Sequence, residues 1–135
     1  MHKILFICHG NICRSPMAEF LLKDIVNKRG LADAFEIASA ATSREEIGNP
    51  VHYGTRTKLA QFGISVTGKH AVQVTKRDYE HYDLLLVMDK NNIRNLRRVI
   101  GEDTQNKVQL LLDYTERKGE SIADPWYTGD FDVTY

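Results

Sequence analysis

The segment from Cys8 to Ser15 constrains this chain most, because it joins an apolar strand pattern to an amphipathic helix pattern. Residues 4–7 read Ile-Leu-Phe-Ile, a short apolar run typical of a buried parallel strand. After the segment, apolar residues recur at helical spacing: Met17, Phe20, Leu21 and Ile25. Ser15 is a favourable N-cap, and Pro16 suits the first helical position. The sequence therefore predicts a strand, a tight loop and a helix N-terminus in direct succession.

Such a loop is a candidate anion site. Loop amides and a helix N-terminus both favour negative charge, and the planar fork of Arg14 matches two oxygens of a phosphate. A thiol beside a helix N-terminus and a guanidinium ionises more readily than a free thiol, whose pKa is ~8.5. Cys8 at the start of the loop would then face the bound anion as a thiolate, placed for in-line attack on phosphorus. The alternative is a buried structural cysteine with a surface arginine.

The run Cys8-His-Gly-Asn-Ile-Cys-Arg-Ser15 resembles the signature loop of the low-molecular-weight protein tyrosine phosphatases. Further matches follow in the same order along essentially the whole chain: Ser39-Ala-Ala, Asp83 to Asp89, and Asp124-Pro-Trp-Tyr. The resemblance implies an α/β, three-layer fold with a four-stranded parallel sheet flanked by helices and a phosphate-binding loop after the first strand. It implies no metal and no organic cofactor. The family continues with a C-terminal helix, which we expect to be absent because this chain stops at Tyr135; an exposed apolar strip would result.

Length and composition are consistent with one domain over residues 1–135. The 18 basic and 18 acidic residues balance, so nothing draws the chain overall to nucleic acid or to a membrane. The chain has no apolar run near the ~20 residues that span a bilayer, and its start lacks a signal-peptide pattern. Two cysteines five positions apart suit neither a disulfide framework nor a zinc site. A reducing cytoplasm is the expected location.

Strand-like and helix-like segments alternate along the rest of the chain, which predicts a parallel sheet with right-handed crossovers. Ligands bind such sheets at the carboxyl ends of the strands, where the Cys8 loop lies. We expect three further strands, at residues 34–38, 84–88 and 107–112. Helices are expected over residues 52–62 and 90–100, with a brief helical turn capped by Thr75.

The resemblance assigns roles to three residues. Cys8 would be the nucleophile, Arg14 would bind phosphate, and Asp124 would be the general acid and base. From spacing alone, an ordinary Asp-Pro turn is the favoured interpretation of Asp124, and the resemblance reverses that preference. The bound phosphate would be held by the loop as a whole: His9, Gly10, Asn11, Ile12, Cys13, Arg14 and Ser15.

Three polar side chains are expected to support the loop. By resemblance, Asn11 holds it in a strained turn, the Ser15 hydroxyl donates to the thiolate, and Ser39 bonds to Asn11. Helix capping by Ser15 and a solvent-facing Ser39 are the simpler readings. The family often places a histidine that supports the loop asparagine where this chain has Lys69. His70 is one position off, so the sequence does not predict this support of Asn11.

Further expectations concern the substrate cleft and the second cysteine. Trp126 and Tyr127 would form an aromatic wall suited to a phenyl ring, or would be core aromatics. Glu45, in a charged loop that either borders the cleft or is simply solvated, would favour basic residues near the substrate. Cys13 is either a small buried apolar residue or the partner with which Cys8 forms a protective disulfide under peroxide.

Four functions remain in competition. A phosphotyrosine phosphatase acting on a protein or peptide is the first. A phosphoarginine phosphatase of the same fold tends to carry threonine where this loop has Ile12. An arsenate reductase relays electrons through further cysteines, and this chain has only two. A phosphocysteine carrier needs neither Arg14 nor Asp124. The sequence favours the tyrosine phosphatase.

Overall fold

In the computed structural model, residues 2–103 and 105–111 are described, and they form an open, wholly parallel four-stranded sheet in the order β2-β1-β3-β4. The predicted α/β fold class is confirmed. The strands are β1 His2–Cys8, β2 Phe35–Ala41, β3 Leu84–Val87 and β4 Val108–Leu110. The helices are α1 Arg14–Lys28, α2 Tyr53–Ala60, α3 Lys76–His81 and α4 Lys90–Ile100.

Alternation of side chains along the two central strands creates the layers. Leu5 and Ile7 of β1 pack on one face of the sheet, in a cluster that includes Leu96 of α4. Phe6 and Cys8 point to the opposite face and share a cluster with Val26 of α1. Each face of the sheet is therefore covered by a helix, which gives the expected three layers.

The carboxyl ends of the strands meet at one edge, where the loop after β1 is anchored. The Thr42 amide, just after β2, donates to the Cys8 carbonyl at 3.0 Å. The Ala41 amide donates to the Val72 carbonyl at 2.7 Å, and the Val74 amide donates to the Ala41 carbonyl at 2.8 Å. These bonds attach residues 72–74 alongside β2, beside the candidate site.

The start of α1 differs from its prediction. Cys13 is the N-cap, without a side-chain capping bond, and Ser15 lies within the first helical turn. The Ser15 hydroxyl is instead directed toward the loop, so the prediction of Ser15 as N-cap is wrong. The prediction that Thr75 caps a helical turn is confirmed, and α4 has the predicted bounds.

Across residues 2–103 and 105–111, the helices are all too short or too polar to cross a membrane.

Asp103, in the connection after α4, joins α3 to the start of β4. Its carboxylate accepts from the Tyr79 hydroxyl of α3 at 2.6 Å and from the amides of Lys107 and Val108 at 2.8 and 2.9 Å. Partial burial alone would raise the pKa of this carboxyl, but the hydrogen bonds from Tyr79, Val108 and Lys107 outweigh it and lower the pKa below its ordinary 3.8. The ionised form is therefore favoured by folding.

We expect Asp103→Asn to lower the free energy of unfolding at neutral pH by about 1–3 kcal/mol, because an amide cannot replace all of these acceptors. The folded pKa is depressed, so the stabilisation is fully present above the unfolded pKa and is lost as pH falls through the folded pKa. The difference between the two proteins in urea unfolding should therefore shrink below about pH 4. A difference that stays constant down to the lowest pH would contradict this assignment.

Candidate active site

The Cys8 sulfur lies at the carboxyl end of β1, where a backbone amide and a hydroxyl converge on it. Cys8 is buried, with 3% of its surface exposed. The Asn11 amide donates to Sγ at 3.3 Å, and the Ser15 hydroxyl lies 3.0 Å from the same atom. The sulfur is therefore held by the loop backbone and by the first turn of α1.

Backbone carbonyls of the loop are turned toward neighbouring segments. The His9 carbonyl accepts from the amide and hydroxyl of Ser43, at 3.1 and 2.9 Å. The Ile12 carbonyl accepts from the His52 amide at 2.8 Å, and the Cys13 carbonyl accepts from Met17 at 3.1 Å. Outward carbonyls fix the curvature of the loop and are compatible with amides facing its centre.

Arg14 is held by a carboxylate that lies between β3 and α4. Arg14 is 4% exposed, and its Nη1 donates to Asp89 Oδ2 at 2.5 Å. Asp89 also caps α4, accepting from the Asn92 amide at 2.8 Å. One carboxylate thus starts a helix and fixes the guanidinium. The sequence analysis assigned no role to Asp89, although an acid directly after a buried strand at this edge was an available signal.

Asn11 is the centre of a buried hydrogen-bond network. Its backbone is left-handed, with φ of 59°, and the residue is 1% exposed. Its Nδ2 donates to the hydroxyls of Ser15 and Ser39, both at 2.8 Å. Its Oδ1 accepts from the Val72 amide at 3.2 Å. One side chain therefore joins the loop to α1, β2 and the segment beside β2.

Beneath Ser39 lies a buried charged group that sequence reasoning missed. The Ser39 hydroxyl donates to Glu19 of α1, and Glu19 is only 3% exposed. Lys23 contacts Glu19 Oε2 at 2.5 Å, while Lys69 lies 3.6 Å from Oε1 and donates to the Ser39 carbonyl at 2.9 Å. From the helical pattern alone, Glu19 would be expected to face solvent. Its position one turn beyond Ser15 was the signal that it shares the face toward the loop.

The remaining predicted loop residues are also placed together. His9 Nε2 lies 3.1 Å from Glu45 Oε2 at the exposed rim, which brings Glu45 to the border of the loop. A side chain at Gly10 would contact Glu46 at 3.4 Å. Ile12 and Cys13 form a small buried cluster with Ala71.

The predicted general acid and aromatic wall, Asp124, Trp126 and Tyr127, lie outside the described residues. Within residues 2–103 and 105–111, no three His, Cys, Asp or Glu side chains are grouped so that they could hold a metal ion.

Fold and site together define a class: α/β proteins with a loop between the first strand and the first helix that begins at a buried cysteine and ends at a buried arginine. The family described as low molecular weight phosphotyrosine protein phosphatase matches residues 3–134. This chain belongs to that family.

Known relatives agree with this placement. The low molecular weight protein-tyrosine-phosphatase YfkJ of Bacillus subtilis is 41% identical over 133 residues, which cover 98% of this chain and 85% of the relative. Its crystal structure superposes with a TM-score of 0.94 over 99% of this chain and 85% of that one. The phosphatase of Gallus gallus is 40% identical over 136 residues, 98% of this chain and 85% of the relative. The arginine phosphatase YwlE is less similar, with 27% identity and a TM-score of 0.83 over 98% of this chain and 83% of that one.

We expect Asn11→Ala to reduce hydrolysis of an aryl phosphate roughly 100-fold, because the loop loses the amide that fixes its shape. The free energy of unfolding should also fall by about 1–3 kcal/mol, since buried hydroxyls lose a donor. The measurements are kcat/KM and urea unfolding.

Asn106→Ala is a matched control, because Asn106 also has a left-handed backbone, with φ of 53°. It should cost about 1–2 kcal/mol from backbone strain and leave kcat/KM unchanged. Equal losses of activity in the two variants would show that backbone strain, and not the network, accounts for the effect of Asn11→Ala.

Proposed function

We propose that this protein hydrolyses phosphotyrosine in proteins or peptides through a phosphocysteine intermediate on Cys8. The observation that carries the proposal is the convergence of the Asn11 amide and the Ser15 hydroxyl on the Cys8 sulfur, in a loop that ends at a buried arginine. Relatives named as tyrosine phosphatases support the substrate class. Phosphate or another oxyanion would occupy the centre of the loop, formed by residues 9–15.

In the first step the Cys8 thiolate attacks phosphorus while the bond from phosphorus to the tyrosyl oxygen breaks. Arg14, oriented by Asp89, would bind two of the equatorial oxygens, whose charge is spread in the transition state. The leaving phenolate takes a proton from Asp124. In the second step water attacks phosphorus, its proton passes to the Asp124 carboxylate, and the sulfur–phosphorus bond breaks to release phosphate and thiolate.

The cleft around this centre would select the substrate. Trp126 and Tyr127 are proposed to form a wall on which the phenyl ring packs. Glu45, 71% exposed and paired with His9 at the rim, is proposed to contact basic residues next to the phosphotyrosine. Acidic flanking residues would be disfavoured by the same carboxylate.

Phosphoarginine hydrolysis is the second candidate, and the fold alone does not exclude it because YwlE shares it. Ile12 argues for tyrosine. Its side chain lies in the apolar cluster with Cys13 and Ala71, where the arginine-specific subgroup tends to carry a threonine. A phosphocysteine carrier would need no fixed guanidinium, whereas Arg14 here is buried and bound by Asp89.

Turnover of a phosphotyrosine peptide and a phosphoarginine peptide tests the proposal. We expect phosphotyrosine to dominate, Cys8→Ser to abolish turnover, and Asp124→Asn to lower kcat by ~10²–10⁴-fold, because the leaving group then departs without a proton. The role of Glu45 is tested with two phosphotyrosine peptides, one with basic and one with acidic flanking residues. Glu45→Gln should reduce the ratio of kcat/KM between the basic and the acidic peptide.

Dominant phosphoarginine turnover would move the protein to the second candidate. Turnover of neither peptide by folded protein would contradict hydrolysis and favour a carrier. Glu80→Gln is the control for Glu45→Gln, because it also removes one exposed negative charge, on α3. It should leave the preference between basic and acidic peptides unchanged.

Cys13 is proposed to protect Cys8 under oxidising conditions. Both cysteine side chains are buried. Peroxide would convert the Cys8 thiolate to a sulfenic acid, and attack by the Cys13 thiol would form a disulfide and release water, blocking irreversible oxidation. A reducing cytoplasm, our expected location, would restore both thiols.

Peroxide treatment of Cys13→Ala followed by a thiol reductant tests this role. We expect the variant to regain little activity while the unchanged protein regains most, because an unprotected sulfenic acid proceeds to irreversible acids. Full recovery of Cys13→Ala would remove the protective role.

A further inference from the structure

The loop after β2 carries an arginine and a glutamate whose side chains are held on opposite sides. β1 pairs with one edge of β2, and residues 72–74 bond to its other edge. His9, directly after β1, and Gln73 therefore lie on opposite sides of the chain that leaves β2. Glu45 contacts His9, with Oε2 3.1 Å from Nε2. Arg44 instead points the other way, and its Nε donates to Gln73 Oε1 at 3.2 Å.

The side chain of Gln73 fixes the direction of the arginine. Gln73 Nε2 donates to the Thr42 carbonyl at 3.2 Å. A carbonyl only accepts hydrogen bonds, so the amide nitrogen must face Thr42 and the amide oxygen must face Arg44. The backbone of Gln73 is itself attached to the end of β2. Arg44 is therefore held by a side chain whose own position and orientation are determined by the edge of the sheet.

Arg44 keeps its two terminal nitrogens for another partner, because its bond to the glutamine amide uses only Nε. Within the described part of the chain it forms no ion pair, although two acidic residues follow it directly in sequence. Glu45 is turned to His9, and Glu46 accepts from Asn49 Nδ2. The exposed guanidinium therefore presents Nη1 and Nη2 side by side, a geometry that pairs with two oxygens of a carboxylate or a phosphate.

Arg44 lies at the border of the loop that follows β1. The amide and hydroxyl of Ser43, the preceding residue, both donate to the His9 carbonyl. On the neighbouring segment, the Val72 amide donates to Asn11 Oδ1 at 3.2 Å. Both segments that carry the arginine and its glutamine partner are thus bonded directly to this loop. A peptide whose phosphotyrosine enters the loop therefore has its flanking residues at the rim where this guanidinium lies.

We propose that Arg44 is a specificity-determining residue: oriented by Gln73, it binds an oxyanion side chain of the substrate, a carboxylate or a second phosphate, on a different side of the phosphotyrosine from Glu45. The inference rests on the proposed function, since it concerns the peptide that is hydrolysed. Exposed charge pairs at a rim contribute modestly to affinity, so Arg44 selects among substrates and is not needed for turnover itself. With Glu45 nearby, the effect of an acidic residue depends on its position in the peptide and not only on its presence.

Turnover of a set of phosphotyrosine peptides tests the proposal. Each peptide carries one aspartate or one lysine at one flanking position of a parent that has no other charged side chain besides the phosphotyrosine. We expect aspartate at one position to raise kcat/KM about two- to fivefold and lysine to raise it at another. Arg44→Gln should remove the gain from aspartate and keep the gain from lysine, and Glu45→Gln should do the reverse. Arg98→Gln, which removes an exposed positive charge near the end of α4, should change neither gain.

The orientation by Gln73 is tested with the same peptides. Gln73→Met cannot accept from Arg44, so it should lose most of the gain from aspartate, and adding Arg44→Gln should reduce that gain little further. The gain from lysine should remain in both variants, which a general disturbance of the rim would not allow. Full retention of the gain from aspartate in Gln73→Met would overturn the positioning role of this residue.

Phosphoserine in place of the favoured aspartate identifies the source of the oxyanion. A gain from phosphoserine and from aspartate supports a site for either group, whereas a gain from phosphoserine alone identifies a second phosphate; unphosphorylated serine should give none. A parent peptide that is not hydrolysed contradicts the proposed function and this inference together. Hydrolysis of the parent with no gain from aspartate or phosphoserine at any position, or with gains that persist in Arg44→Gln, overturns this inference alone.

Discussion

The hydrogen bonds of one buried amide hold the site together. Asn11 joins the loop, the first turn of α1, the end of β2 and the segment beside it, from a left-handed backbone that most residues avoid. The strain of that conformation costs about 1–2 kcal/mol. Three satisfied buried bonds at about 0.5–1.5 kcal/mol each are enough to offset it. The loop is therefore held by surrounding elements and does not depend on the anion for its shape.

The second constraint is that each buried ionisable group needs a partner of opposite sign. Arg14 and Glu19 are both almost fully buried, and each faces a partner of opposite sign on a different element. Removing such groups from water costs several kcal/mol per ion, so these pairs are weak contributors to stability. What they provide is geometry. Asp89 holds one nitrogen of the guanidinium, and Glu19 accepts from the Ser39 hydroxyl.

The sequence predicted correctly those elements whose positions depend on residues close together in the chain. The apolar runs of β1 and β3 and the bounds of α4 follow from patterning and capping within a few residues. Ser15 failed as an N-cap because a tertiary contact with Cys8 and Asn11 outcompeted the local capping bond. Glu19 and Asp89 escaped notice, and no support from Lys69 was predicted, because each of these residues has its partner at least 20 positions away. Local pattern marks such residues as ordinary surface charges.

The contact between Asn11 and residue 72 has a consequence for how such enzymes diversify. The network uses only the backbone amide of Val72, while half of that residue's surface faces solvent. Any residue other than proline supplies the same amide. The side chain of residue 72 can therefore change through mutation without removing the bond that holds Asn11. Evolution is free to vary the outer surface near the loop while the chemistry beneath it stays intact.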